Sequence, residues 1–420
     1  MSTQKSYALP MIIIGILFFV FGFVTWVNGT LITYLKIACE LDTDLQSFLV
    51  TTAFFIAYFV MGIPSSWVLN VTGYKKGMAL GLLIMAIGAI VFVPAAQARN
   101  FNMFLGGLFI IGTGLALLQT ASNPYVSIIG PIESAAKRIS IMGICNKSAG
   151  IIASLIFSEI ALSNVDVLVA GLKSMDATAK DIELDQLASR VIVPYIIIAG
   201  VLAVLAVATL FSGLPDIKEE DEPTEGASAG ASTKTSVFQF PHLVLGLITM
   251  FLYVGCEVMA GDTIISYGKS LNIELSTARY FTIGTLTFML LGYVVGIFAI
   301  PKYLSQSKAL AICAVLGVIF TVLAVVTPGI VSVGCIAALG LANSIMWPAI
   351  FPLAIDGVGK FIRTASALLV MSIVGGAVLP LVYGKLLQSV GSQNAYIMML
   401  PCYLFILYFA TKGYKAGKAA

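Results

Sequence analysis

The stretch PDIKEEDEPTEGASAGASTKTSVFQF, residues 215–240, is a solvated interval in the middle of an apolar chain. An acidic run leads into a Gly/Ala/Ser/Thr-rich tract, the composition of a linker that cannot bury enough apolar surface to fold by itself. It falls at the midpoint of 420 residues, of which 59% are hydrophobic and only 10% charged. A soluble domain carries about a quarter charged residues. The chain on both sides of the linker therefore belongs in a bilayer.

Outward from the linker, apolar runs of about twenty residues follow one another, the length that crosses a hydrocarbon core. Hydropathy read against turn residues places twelve spans near 8–35, 46–70, 77–97, 101–129, 139–163, 191–214, 242–268, 278–300, 308–327, 330–355, 365–388 and 394–412. Six precede the linker and six follow. The expected fold is an all-α membrane protein of two six-helix bundles, residues 1–214 and 241–420, joined by a cytoplasmic linker at 215–240. The first run starts almost at Met1 and has no small-residue cleavage site, so it is expected to stay as a membrane helix.

If the N-terminus is cytoplasmic, Lys75, Lys76, Lys137, Arg138, Lys302, Lys308, Lys360, Arg363, Lys412, Lys415 and Lys418 all fall on the inner side. That bias predicts both termini in the cytoplasm, with a bacterial inner membrane as the expected location. Segment 164–190, mixed in charge, would face outside and form a short amphipathic piece. The halves also repeat. With Pro124 set against Pro348, Gln119 falls opposite Asn343 and Asn123 opposite Trp347, and a basic loop follows in each half.

Several functions are disfavoured. The six cysteines are scattered, with no CxxC pair and no nearby histidine, so neither a zinc site nor a disulfide framework is indicated. No nucleophile–base constellation points to an enzyme, and nothing marks a nucleic-acid partner. The expected partners are lipid and one small molecule, handled by a functional monomer. A non-transporting sensor stays open as an alternative, although these loops hold no soluble signalling domain.

Polar residues inside spans outline a path, because an unpaired polar group facing lipid costs several kcal/mol. Span 1 carries Trp26, Asn28 and Thr30, and Asn28–Gly29 would allow a bend. In span 4, Gln119 and Asn123 are four apart and share a helical face, which suits either a hydroxyl-rich ligand or a polar helix contact. In span 5, Asn146 stands beside Lys147, whose insertion at a helix centre costs about 2.5–3.5 kcal/mol. Lys147 either has an anionic or carbonyl partner or snorkels to the interface.

Span 7 holds two acids in LYVGCEVMAGDTIISYG, residues 252–268. Glu257 and Asp262 are separated by about 7–8 Å of rise and about 140° of turn. They could not grip one ion on an ideal helix. Unwinding at Gly255 and Gly261 would free carbonyls for a cation. Intramembrane acids default to function, with a structural ion pair as the alternative. Glu159, Asp356 and His242 lie near span ends and are expected to be boundary residues.

The segments LFIIGTGLALLQTASNPYVSIIGP (108–131), ICNKSAGIIAS (144–154), NSIMWPAIFPLAIDG (343–357) and VMSIVGGAVLPLVYG (370–384) resemble the fucose/glucose/galactose permease branch of the major facilitator superfamily, over nearly the whole chain. The loop motif after span 2 departs from the superfamily pattern, with Asn70 and Val71 at its first two places in NVTGYKK. Proton-coupled fucose permeases carry an Asp and a Glu where Gly29 and Gln119 stand here, whereas the family's span-5 Asn matches Asn146.

The resemblance implies a cation-coupled hexose symporter working by alternating access. Gln119, Asn123, Asn146, Asn343 and Asn28 would bind sugar hydroxyls, and Trp347 or Trp26 would stack on its apolar face. The span-7 acids themselves point to the cation: Glu257 first, and Asp262 with it, would hold the coupling cation, one acid at the coupling site and the other paired elsewhere, with Lys147 as a charge partner. Sodium is expected ahead of proton and glucose or galactose as the sugar; a proton-coupled fucose or amino-sugar permease is the alternative.

Overall fold

The computed structural model describes residues 8–128, 135–214, 235–300 and 302–418. Most of the expected linker, 215–234, lies outside the described residues, as do the side chains of Pro124, Lys137, Lys360 and Arg363. The first span is α1 (Ala8–Trp26) and α2 (Asn28–Ala38). After α3 (Asp44–Ser47) come α4 (Leu49–Gln97), α5 (Phe101–Ile128), α6 (Ala135–Ala161), α7 (Val165–Leu172), α8 (Ala177–Ser189) and α9 (Ile192–Phe211). The second bundle runs through α10 (Pro241–Asp262), α11 (Ile264–Ser270), α12 (Leu275–Ala278), α13 (Phe281–Ala299) and α14 (Gln306–Val326). It ends with α15 (Gly329–Asn343), α16 (Met346–Ile355), α17 (Ile362–Met371), α18 (Gly375–Val390), α19 (Ser392–Ala395) and α20 (Met399–Thr411).

Among the described residues, 11 helical stretches are long and apolar enough to cross a membrane. One of them, Asp44–Gln97, has 54 residues. That is roughly 80 Å of helix against a core of about 30 Å, so it has to turn back. It does so at Gly73, whose φ of 73° and ψ of 171° lie in a region essentially restricted to glycine. Dividing the stretch there gives the twelve crossings read from the sequence. Lys75, just beyond the turn, donates to the carbonyl of Ser212 at the end of α9 (2.6 Å), tying the loop to the last helix of its bundle.

Two further breaks position the cavity. The tenth span divides between α15 and α16, before Pro348, which has no N–H to offer the carbonyl of Ser344. The first span divides at Val27, one residue ahead of the expected Asn28–Gly29 bend. There α1 lies directly on α6: a Cβ at Gly22 would sit 1.8 Å from the carbonyl oxygen of Asn146. Only glycine admits that approach, and it sets Asn146 and Lys147 beside Trp26.

At the end of the body where α2 and α11 finish, the bundles are joined by polar contacts. Thr52 donates to the carbonyl of Ala377 (3.0 Å), Ser158 to the carbonyl of Arg279 (2.9 Å), and Arg279 to Glu159 (3.1 Å). The 164–190 segment is two short helices. Asp166 on α7 accepts the backbone N–H groups of Leu275 and Ser276 across the seam, at 3.1 and 2.8 Å. The expected boundary residues sit at helix ends. Glu159 pairs with Arg279, and Asp356 with Lys418 (2.6 Å). The ring of His242 is buried and hydrogen-bonded to the Asp356 carbonyl (2.9 Å).

Candidate functional site

A cavity of about 120 Å³ lies between the bundles, with room for roughly four water molecules at about 30 Å³ each. That is the scale of one small polar ligand, not of a peptide. The first bundle contributes Trp26, Tyr58, Gln119, Asn123, Asn146 and Lys147 to its walls, and the second contributes Tyr253, Glu257, Asp262, Tyr293 and Trp347. Phe18, Phe21 and Phe55 supply apolar surface.

Lys147 does not snorkel. Its ammonium donates to Glu257 at 2.9 Å, and the two side chains are only 7% and 11% exposed. The same ammonium lies 4.3 Å from the centre of the Trp26 ring. Each charge offsets the burial of the other, and the pair bridges the bundles. Two desolvated charges of this kind gain little over an apolar pair, but leaving either one alone is costly. The hydroxyl of Tyr253, one turn before Glu257, also faces its carboxylate.

Asp262 meets the cavity from the closed end. It is 2% exposed and accepts a hydrogen bond from Thr51 of the first bundle (3.0 Å). The expected unwinding beside it does not occur, because α10 runs through both Gly255 and Gly261. Those glycines serve close packing instead: a Cβ at Gly255 would lie 2.2 Å from Leu379, and one at Gly261 2.5 Å from Trp26. The carbonyls of Ala260 and Gly261 accept from Thr285 and Thr282 on α13, at 3.0 and 2.8 Å. The hydroxyl of Thr263 takes the carbonyl of Met259 (2.7 Å). The carbonyl set expected around a sodium ion is thus engaged by hydroxyls.

The amides divide into two groups. Gln119, Asn123 and Asn146 face the cavity. Gln119 donates to the Tyr58 hydroxyl (3.0 Å), and Asn146 accepts from the indole N–H of Trp26 (3.2 Å). Asn28 and Asn343, expected beside them, are fully buried and are not among the cavity walls. Asn343 accepts from Tyr403 (2.9 Å) inside the second bundle. The helix break before Pro348 turns its neighbour Trp347 toward the cavity while Asn343 stays in the core.

The aromatics divide too. Trp26 lines the cavity but is only 3% exposed, with Gly150 and Gly261 against its ring and the Lys147 ammonium over it. Trp347 is half-buried and stacked against Phe351, with ring centres 6.1 Å apart and planes at 28°. Tyr58, Thr51, Tyr253 and Tyr293 escaped the sequence reading. A tyrosine within an apolar run carries no cost signal as a charge does, and only its neighbours reveal it.

Two bundles closing on a cavity with amides and carboxylates set in largely apolar walls define a membrane transporter, and the comparisons agree. Residues 14–373 match the model of the Major Facilitator Superfamily. The chain belongs to that superfamily, in its fucose/glucose/galactose permease branch. It is 33% identical to a glucose/galactose transporter of Brucella abortus, over 99% of this chain and 96% of that one. It is 27% identical to the L-fucose-proton symporter of Escherichia coli, over 97% and 93% of the two chains. The crystal structure of the E. coli fucose:proton symporter superposes with a TM-score of 0.75 at 26% identity, covering 97% of this chain and 98% of that one.

Proposed function

We propose that this protein is a hexose symporter, moving glucose or galactose together with a cation, and that the cation is a proton. The observation that carries the reading is the small cavity in which the amides of one bundle meet the carboxylates of the other. The names of the relatives supply the sugar class. Gln119, Asn123 and Asn146 bond the hydroxyls, and Trp347 offers an aromatic face to the apolar side of the sugar ring.

Transport follows from rocking the two bundles about the cavity. With the N-terminus cytoplasmic, the closed end faces outside. Opening the outer end parts Thr51 from Asp262 and Asp166 from α12, and brings the Asp262 carboxylate to water. Reclosing buries that carboxylate with one hydroxyl as its hydrogen-bond partner, so it enters the closed state carrying a cation. Sugar and cation then favour the same closed arrangement and each strengthens the binding of the other.

A proton fits better than sodium here. The carbonyls that would complete a sodium shell are bonded to Thr282, Thr285 and Thr263, and Lys147 lies against the second carboxylate. The sugar assignment is tested by exchange of radiolabelled glucose across liposomes loaded with unlabelled glucose, galactose or fucose. Exchange with glucose and galactose supports the reading; exchange with fucose alone contradicts it.

A further inference from the structure

Trp26 belongs to the first bundle and is packed by both bundles. Its small apolar cluster includes Leu286 and Met289 of α13. Its ring is held between Gly150 of α6 and Gly261 of α10, where added methyl groups would come to 2.6 and 2.5 Å of the indole. In this state α10 and α13, closed against α1, supply part of the ring's seat. In that position its N–H donates to Asn146 at 3.2 Å and its face receives the Lys147 ammonium at 4.3 Å. A donated hydrogen bond fixes which end of the Asn146 amide is its oxygen, and so which end offers N–H groups, one of them directed at the Phe18 carbonyl (3.5 Å).

We propose that Trp26 is a positioning residue: closure of the second bundle seats its indole, and the seated indole aims Asn146 and Lys147 at the ligand. Resting on the sugar-transport reading, the proposal deepens it by giving the cavity's affinity a dependence on closure. Gly261 sets the seat, although it touches neither Asn146 nor Lys147 through a side chain.

The test is a double-mutant cycle on glucose binding to the purified protein, using Trp26→Phe, Gly261→Ala and the pair. Trp26→Phe keeps a ring but loses the N–H donor; Gly261→Ala displaces the ring. Each single variant is expected to weaken glucose binding about tenfold. Because both act through one side chain, the pair should be no weaker than Trp26→Phe alone. Losses that multiply in the pair, or a Trp26→Phe protein that binds like wild type, overturn the proposal. Leu286→Ala gives the same cycle from a second contact if Gly261→Ala does not fold.

A ligand-free measurement separates this proposal from the choice of sugar. The fluorescence that Trp26→Phe removes should be poorly quenched by acrylamide in wild type and more strongly quenched in Gly261→Ala or Leu286→Ala. Unchanged quenching overturns the proposal. Failure of wild type to bind glucose, galactose or fucose overturns the sugar reading instead.

Discussion

Removing Lys147 probes the only charge bridge found inside the cavity, among the described residues. In Lys147→Met the Glu257 carboxylate, 11% exposed, loses a cation at 2.9 Å and keeps no other positive partner nearby. Breaking a buried pair in this way costs about 3–5 kcal/mol. Replacing both residues, Lys147→Met with Glu257→Leu, removes both charges and should return stability to within about 1 kcal/mol of wild type. Denaturant unfolding of the purified protein in detergent measures both effects. Single variants that unfold like wild type, or a double variant no more stable than the singles, would refute the argument.

Other consequences follow from the same geometry. Gly73→Ala, at a φ of 73° with open space around it, should cost about 1–3 kcal/mol from backbone strain alone. Asp166→Ala removes the acceptor for two N–H groups of the other bundle; losing a cap of this kind costs about 1 kcal/mol. The open form of that end should rise about fivefold relative to the closed form, read as a longer distance between spin labels at Gln186 and Glu274. Trp347→Ala should weaken sugar binding about threefold to tenfold in a calorimetric titration, given about 0.5–1.5 kcal/mol for an aromatic contact.

Much of the fold was legible because lipid imposes strong rules. Twelve apolar windows sufficed to place the crossings, and the 54-residue helical stretch has to turn back to fit a bilayer. The charges of Lys147 and Glu257 marked both as costly inside a span, but the sequence left open whether Lys147 pairs or snorkels, and the structure sets the two together. Orientation of uncharged groups was not legible. Gln119 and Asn343 occupy matching places in the two halves, yet one faces the cavity and the other bonds Tyr403 in the core, because helix rotation near Pro348 is set by packing. The two glycines beside the acids read as points of unwinding, whereas they admit Trp26 and Leu379 against an intact helix. A glycine reports that a side chain is absent and not whether a bend or a neighbour uses the space. Trp26, read as a sugar platform, is instead packed by both bundles, which the local sequence does not reveal.

The central claim is that Asp262 carries the cation that couples closure to sugar movement. The direct measurement is glucose accumulation in proteoliposomes under an imposed proton gradient, and separately a sodium gradient, for wild type and Asp262→Asn. The account predicts that the proton gradient drives accumulation in wild type, and that Asp262→Asn loses accumulation while still exchanging labelled for unlabelled glucose. Accumulation driven by sodium alone, or retained in Asp262→Asn under a proton gradient, would contradict it.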